Sequence, residues 1–228
     1  MYKKQLLILT FLLGSFLAFS QNVETENPDY KKIEKEIAKK KSELFYPKLM
    51  KKYINSDSTM TLKEKRYLYY GYSFQDAYSP YGHSDFSDTL REVLQKEQHT
   101  DEELNRIIEL SDSILVDNPF DLRVINYQLY ALDKLEKKIE FDKKINQMRI
   151  VVDALLSSGD GLKKKTAFYV IYTSHEYDLL NILGYEFGGE QSLIDHFDYL
   201  KVAKNSQNIK GFYFDISPCL NSMNEMFK

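Results

Sequence analysis

The sequence predicts an α+β protein that is mainly α: helical hairpins resembling tetratricopeptide repeats, followed by a small, mainly antiparallel sheet with one inserted helix. Three observations predict it. Between Thr100 and Ser158 apolar residues recur at helical spacing, broken by short turns. Two capping boxes, Thr61-Leu62-Lys63-Glu64 and Thr100-Asp101-Glu102-Glu103, mark helix starts. Beyond Lys165 the composition shifts to short runs rich in aromatic and β-branched residues, the mark of strands.

Residues 1–20 have the pattern of a cleavable leader: Lys3 and Lys4, an apolar run from Leu6 to Phe19, and Ala18-Phe19-Ser20 before Gln21. Cleavage after Ser20 would leave residues 21–228 as a single domain, bound for the periplasm or the exterior, with no stable membrane span. Removing the two lysines takes the formal charge from −3 to −5, which disfavours nucleic acid as a partner. Cys219 is the sole cysteine, so no internal disulfide forms, and it reads as a small buried hydrophobe.

The helical body is expected over 29–158. Asp29 caps a helix to about Ser42, with Ile33 and Ile37 on its apolar side. Phe45 to Tyr53 forms a second helix with Pro47 in its first turn. A third starts near Leu62 and runs into the tyrosine-rich stretch, and Ser79-Pro80-Tyr81-Gly82 reads as a turn. Ser87 to Glu97 follows, then a helix through Ile107, Ile114 and Leu115 that ends at Asn118. Asn118 and Pro119 are read as cap and first turn of the next helix, with Ile125, Leu129 and Leu132 on its broad apolar face. Phe141, Ile145, Met148, Val152 and Leu155 trace the last stripe, which Gly159 or Gly161 stops.

The β-rich part is expected over 166–217. Ala167 to Thr173 reads as a strand, and Ser174 caps a helix to about Leu183. Gly188-Gly189 reads as a turn and Ser192 to Val202 as one strand. Phe212, Phe214 and Ile216 share one face of the last strand, and a frayed helical turn closes the chain.

The least ordinary stretch is Arg66 to His83, which holds Tyr67, Tyr69, Tyr70, Tyr72, Tyr78 and Tyr81. Tyrosine suits surfaces that are half dry and half wet. A candidate binding surface therefore comprises Tyr69, Tyr70, Tyr72, Gln75, Tyr78, Tyr81 and His83. Its partner would be another envelope protein, a peptide or a glycan, although the absence of tryptophan weakens the glycan reading. The competing reading is that the rings wedge a short helix into the core. The run Tyr46-Pro47-Lys48-Leu49-Met50, the stretch from Arg66 to Gln75, and Tyr78-Ser79-Pro80-Tyr81 resemble an uncharacterised family of secreted Bacteroidetes proteins that carries only a domain-of-unknown-function label. The similarity extends over most of the mature chain, including Glu176-Tyr177 and Phe212 to Ser217. It implies a shared fold and export, and brings no activity and no functional residue.

Catalytic signatures are sparse, and the reading leans away from an enzyme. His175-Glu176 lacks the second histidine of a zinc-protease helix, and no histidine pair has close metal-ligand spacing, so neither metal nor cofactor is expected. Ser157-Ser158-Gly159-Asp160-Gly161 before three lysines lacks the spacing of a phosphate loop. The alternative is a periplasmic hydrolase built on His175, Glu176, His196 and Asp198, which requires the helix start and the strand to converge.

Overall fold

The computed structural model describes residues 25–226, and the leader expected at 1–20 lies outside them. Within them are nine α-helices and a four-stranded mixed sheet. The mainly helical α+β class holds.

Asp29 caps α1 (Tyr30–Ile37) by accepting from Lys32 N, and Ile33 and Ile37 turn inward. Helix α2 (Tyr46–Ile54) starts with Pro47 in its first turn, where no amide partner is missed. Both capping boxes form: Thr61 with Glu64 opens α3 (Leu62–Gly71), and Thr100 with Glu103 opens α5 (Asp101–Asp117). Between them lies the short α4 (Ser87–Leu94). Helix α6 (Leu122–Lys134) begins later than Asn118-Pro119 suggests. Asn118 ends α5, and the cap is Asp121, which accepts from Val124 N at 3.0 Å. An aspartate side chain satisfies a free amide that Asn118 here does not reach. Helix α7 (Lys138–Leu156) completes the helical body. Lys65 pairs with Asp153 at 2.7 Å, and buried Arg66 donates to Ser157 O and Oγ and to Glu26 O. These bonds tie α3 to the end of α7 and to the incoming chain.

Two strands differ from the sequence expectation. Of 167–173 only Phe168–Tyr169 (β1) is strand, and it pairs parallel to β4 (Gly211–Asp215). The segment 192–202 is a hairpin rather than one strand. Strand β2 (Phe187–Ile194) and β3 (Phe197–Val202) pair antiparallel, and Ile194 faces Phe197 across the two-residue turn Asp195-His196. Asp195 takes the left-handed φ of +63° that aspartate tolerates in turns. Gly188 and Gly189, read as a turn, lie inside β2 where its register with β3 shifts. Glycine at such a bulge lets the neighbouring backbone approach, and a Cβ on Gly188 would sit 2.9 Å from the carbonyl of Val202.

The sheet order is β1-β4-β3-β2. Helix α8 (Ser174–Ile182) is inserted between β1 and β2. The closing helix α9 (Ser217–Met226) is longer than the frayed turn expected. Phe168, Leu200, Val202, Phe212 and Phe214 join Leu49, Tyr69, Ile125 and Leu155 in one apolar core, so sheet and helical body share an interior. A smaller cluster of Leu90, Ile107, Leu110, Val124 and Ala131 holds α4, α5 and α6 together. Among the described residues no helix is long and apolar enough to cross a membrane.

Candidate functional site

The tyrosine-rich stretch is largely interior. Every residue of α3 from Arg66 to Gly71 is buried, as expected of a helix enclosed on all sides. Tyr69, Tyr70 and Tyr72 cannot form the outer surface the sequence suggested, because each ring is in the core and each hydroxyl is used inside. Tyr70 Oη donates to Ala154 O at 3.1 Å, and Tyr72 Oη donates to Asp117 O at 3.2 Å. Around Phe120 the rings of Tyr53, Tyr69 and Tyr72 meet at 5.1–5.9 Å. Tyr78 is half-buried and donates to Ile171 O at 2.6 Å; Gln75 Nε2 returns to Gly71 O at 3.0 Å. The outward-facing members are Tyr81, 45% exposed, and His83, which lies 3.9 Å from Asp88.

His175 and Glu176 are adjacent in sequence but a third of a helical turn apart, and they face different surroundings. His175 is fully buried. Its Nε2–H donates to Phe120 O at 2.9 Å, and its Nδ1 accepts from Tyr69 Oη at 2.7 Å. Tyr69 Oη in turn accepts from Ile171 N at 3.2 Å. Burial pushes the imidazole down to about 4, so it is neutral and fully bonded at ordinary pH. His196 lies outside this network and pairs with Asp215 at 3.4 Å. The four-residue polar set is therefore divided: His175 serves the core, His196 serves the end of β4, and only Glu176 and Asp198 converge.

Those two carboxyl groups make the least ordinary electrostatic feature of the fold. Both are buried, Glu176 on α8 and Asp198 on the inner face of β3. Burial first, then the charge of Asp198 and a hydrogen bond to it, push Glu176 up to about 9. Neither Glu176 oxygen has another donor, nor does Asp198 Oδ1, so a proton held by Glu176 and accepted by Asp198 satisfies the pair. Asp198 Oδ2 accepts from Gln191 Nε2, and Gln191 Oε1 accepts from Tyr177 Oη. Cys219, also buried, has its Sγ 3.9 Å from Tyr78 Oη, and burial pushes its thiol up to about 12. A protonated thiol with no histidine beside it is a poor nucleophile.

Above this floor the surface is apolar and aromatic. The Tyr81 phenol is pushed up by burial and by the nearness of Cys219 and Glu176. Tyr177 meets Phe187 at 5.3 Å, and Leu193 lies opposite Asp198 in the β2–β3 register. Phe187, Leu193 and Ile194 are 40%, 55% and 45% exposed on the outermost strand of the sheet. Sequence reasoning missed Gln191, Tyr177, Leu193 and the Cys219 contact. Its one usable signal was the run His175-Glu176-Tyr177-Asp178, where acids stand among residues that must face the core. Among the described residues no cluster of three metal-ligating side chains is assembled.

Fold and site together define a mainly helical α+β protein with a buried acid pair beneath an aromatic loop and an open sheet edge. The chain belongs to a family described as a domain of unknown function, DUF4919, whose model matches residues 31–225. No curated protein and no solved structure matches it.

Proposed function

We propose that the protein is an exported, non-catalytic binding protein that captures an extended segment of another envelope protein along the open edge of β2, beside the Tyr81 loop. The observation that carries this reading is the state of β2. Its inner side pairs with β3, while among the described residues its outer side meets no strand. Edge strands are usually blunted by charge, proline or a bulge. Here the register shift interrupts only the stretch before Gln191. From Gln191 to Ile194 the strand is regular and uncharged, and its last two residues, Leu193 and Ile194, turn one exposed apolar side chain to each face. Such an edge offers backbone hydrogen bonds for affinity and alternating side chains for specificity. Export rests on the leader-like residues 1–20, and the exposed Tyr81 supplies an aromatic anchor of the kind enriched in interfaces.

The test is capture from a solubilised envelope fraction on immobilised protein. Leu193→Lys and Ile194→Lys should each abolish the captured band while leaving the thermal midpoint unchanged. Val116→Lys, on an exposed position of α5 far along the chain, serves as the control and should capture like wild type. Capture that survives both edge substitutions sinks the proposal.

A further inference from the structure

The sheet has two faces, and the core accounts for one of them. Phe168, Phe214, Asp198 and Leu200 point inward. The alternate residues point the other way: Phe197, Tyr199 and Lys201 on β3, Tyr213 on β4, Ser192 and Ile194 on β2. Phe197, Tyr199 and Tyr213 are half-buried and belong to neither apolar cluster. The solvated face of an antiparallel sheet is ordinarily polar, and here it carries three aromatic rings. Tyr199 and Tyr213 stand directly opposite each other, with ring centroids 4.7 Å apart. The Tyr199 ring lies across β4 at Gly211, where a Cβ would sit 2.5 Å from its Cζ. Glycine at that position lets the ring rest on the backbone and turn its other face outward. On the far side Ser192 faces Tyr199. Tyr213, Tyr199 and Ser192 thus form one row across three strands, about 10 Å long at the usual strand spacing. The charges beside this row are spent within the chain. Lys201 pairs with Glu190 at 2.6 Å, Lys164 with Asp195 at 3.4 Å, and His196 lies 3.4 Å from Asp215. Lys164 also stands over the Phe197 ring at 5.5 Å, so that ring is partly covered and the two tyrosines are the open ones.

We propose that this face binds a neutral polysaccharide, with sugar rings stacked on Tyr199 and Tyr213. A sugar ring presents C–H bonds, polarised by its oxygens, to the electron-rich face of an aromatic ring, while its hydroxyls reach sideways to polar groups. Ser192 and the Lys201–Glu190 pair, all exposed, supply those groups at the rim. The chain has no tryptophan, so tyrosine provides the platform. A nucleic acid or an acidic polymer draws its affinity from free cations, and the cations here are already paired. A protein surface laid over the row would have to desolvate the Lys201–Glu190 pair, whereas sugar hydroxyls bond to it. The row lies on a face of the sheet and not along the β2 edge, so it stands or falls independently of the capture reading.

The experiment is native affinity electrophoresis of the purified protein in gels cast with hydroxyethylcellulose, galactomannan or arabinoxylan, with polygalacturonate as the acidic comparison. At least one neutral polymer should retard the protein, and polygalacturonate should not. Tyr199→Leu and Tyr213→Leu keep apolar volume on the strands but remove the ring face. Each should lose the retardation while the circular dichroism spectrum is unchanged. Tyr199→Phe keeps the ring and should retain most of the retardation. Leu193→Lys, on the opposite face of β2, should be retarded like the wild type, which separates this reading from the capture of an envelope protein. The absence of retardation in every neutral gel overturns the proposal. So does retardation that survives both leucine substitutions, which would mark a merely apolar contact, or that is stronger in polygalacturonate, which would mark an acidic ligand.

Discussion

Tyr69 shows how a residue that reads as surface becomes architecture. Its oxygen accepts from Ile171 N and its proton goes to His175 Nδ1, whose far nitrogen then fixes Phe120 O. Two helices and two loops are pinned by one line of polar atoms inside an apolar interior, where unmet groups are most costly. Tyr69→Phe keeps the ring but leaves the amide of Ile171 and the Nδ1 of His175 without partners. It should cost about 1–3 kcal/mol of unfolding free energy. Tyr81→Phe removes a hydroxyl on an exposed ring and should stay within about 0.5 kcal/mol. Urea denaturation of the two variants checks the pair, and equal losses would mean that the buried line does not carry the load assigned to it.

At the scale of elements, the junction of α7 and β1 is the most tightly built. Gly161 has φ +70°, its N–H donates to Thr166 O at 2.7 Å and its carbonyl accepts from Tyr213 N at 2.7 Å. A Cβ there would lie 2.5 Å from the Phe168 ring. Gly184 has a similar φ of +79° with nothing within 4 Å of the same position. Gly184→Ala should therefore show backbone strain alone, about 1 kcal/mol, and Gly161→Ala at least about 2 kcal/mol, since ring displacement is added. Thermal or urea unfolding of both separates the two effects, and similar losses would contradict the packing described. The same elements show what a sequence reveals. The helices announced themselves because caps and stripes are local: Thr61, Thr100, and the run from Ile145 to Leu155. Strand β1 did not, since two residues become strand only by pairing with Phe214 and Asp215, far along the chain. Strand β2 did not either, because an edge exposed on both faces has no alternation to read. The tyrosines of α3 misled for a related reason: a helix buried all round has no polar face, so its rings carry no mark of which way they point. The Glu176–Asp198 contact joins a helix to a strand, and no spacing along the chain encodes it.

For the molecule as a whole, three buried ionisable groups on α8 set how stability responds to pH. His175 is held down to about 4, against an ordinary 6.5, so the stability tied to its neutral form is lost as pH falls from 6.5 towards 4. Asp178 behaves oppositely. Burial pushes it up to about 7, outweighing the opposing pull of Arg123 at 3.3 Å. Glu176 goes further, to about 9 from an ordinary 4.5. A group raised in this way binds its proton in the folded chain while the unfolded chain has released it. Its contribution is complete below 4.5 and declines until pH passes 9. Between about pH 8 and 8.5 Asp178 has released most of its proton and His175 is neutral, so Glu176 dominates the tilt of the curve. The expected slope is a loss of about 1.4 kcal/mol per pH unit, one proton's worth. Glu176→Gln keeps a donor for Asp198 and removes the titration. The variant should show a flat profile across that window and should overtake the wild type towards its alkaline end. Urea unfolding at several pH values reads both slopes. A wild type that is itself flat there would mean that Glu176 is ionised in the folded protein, and the proton shared with Asp198 would have to be abandoned.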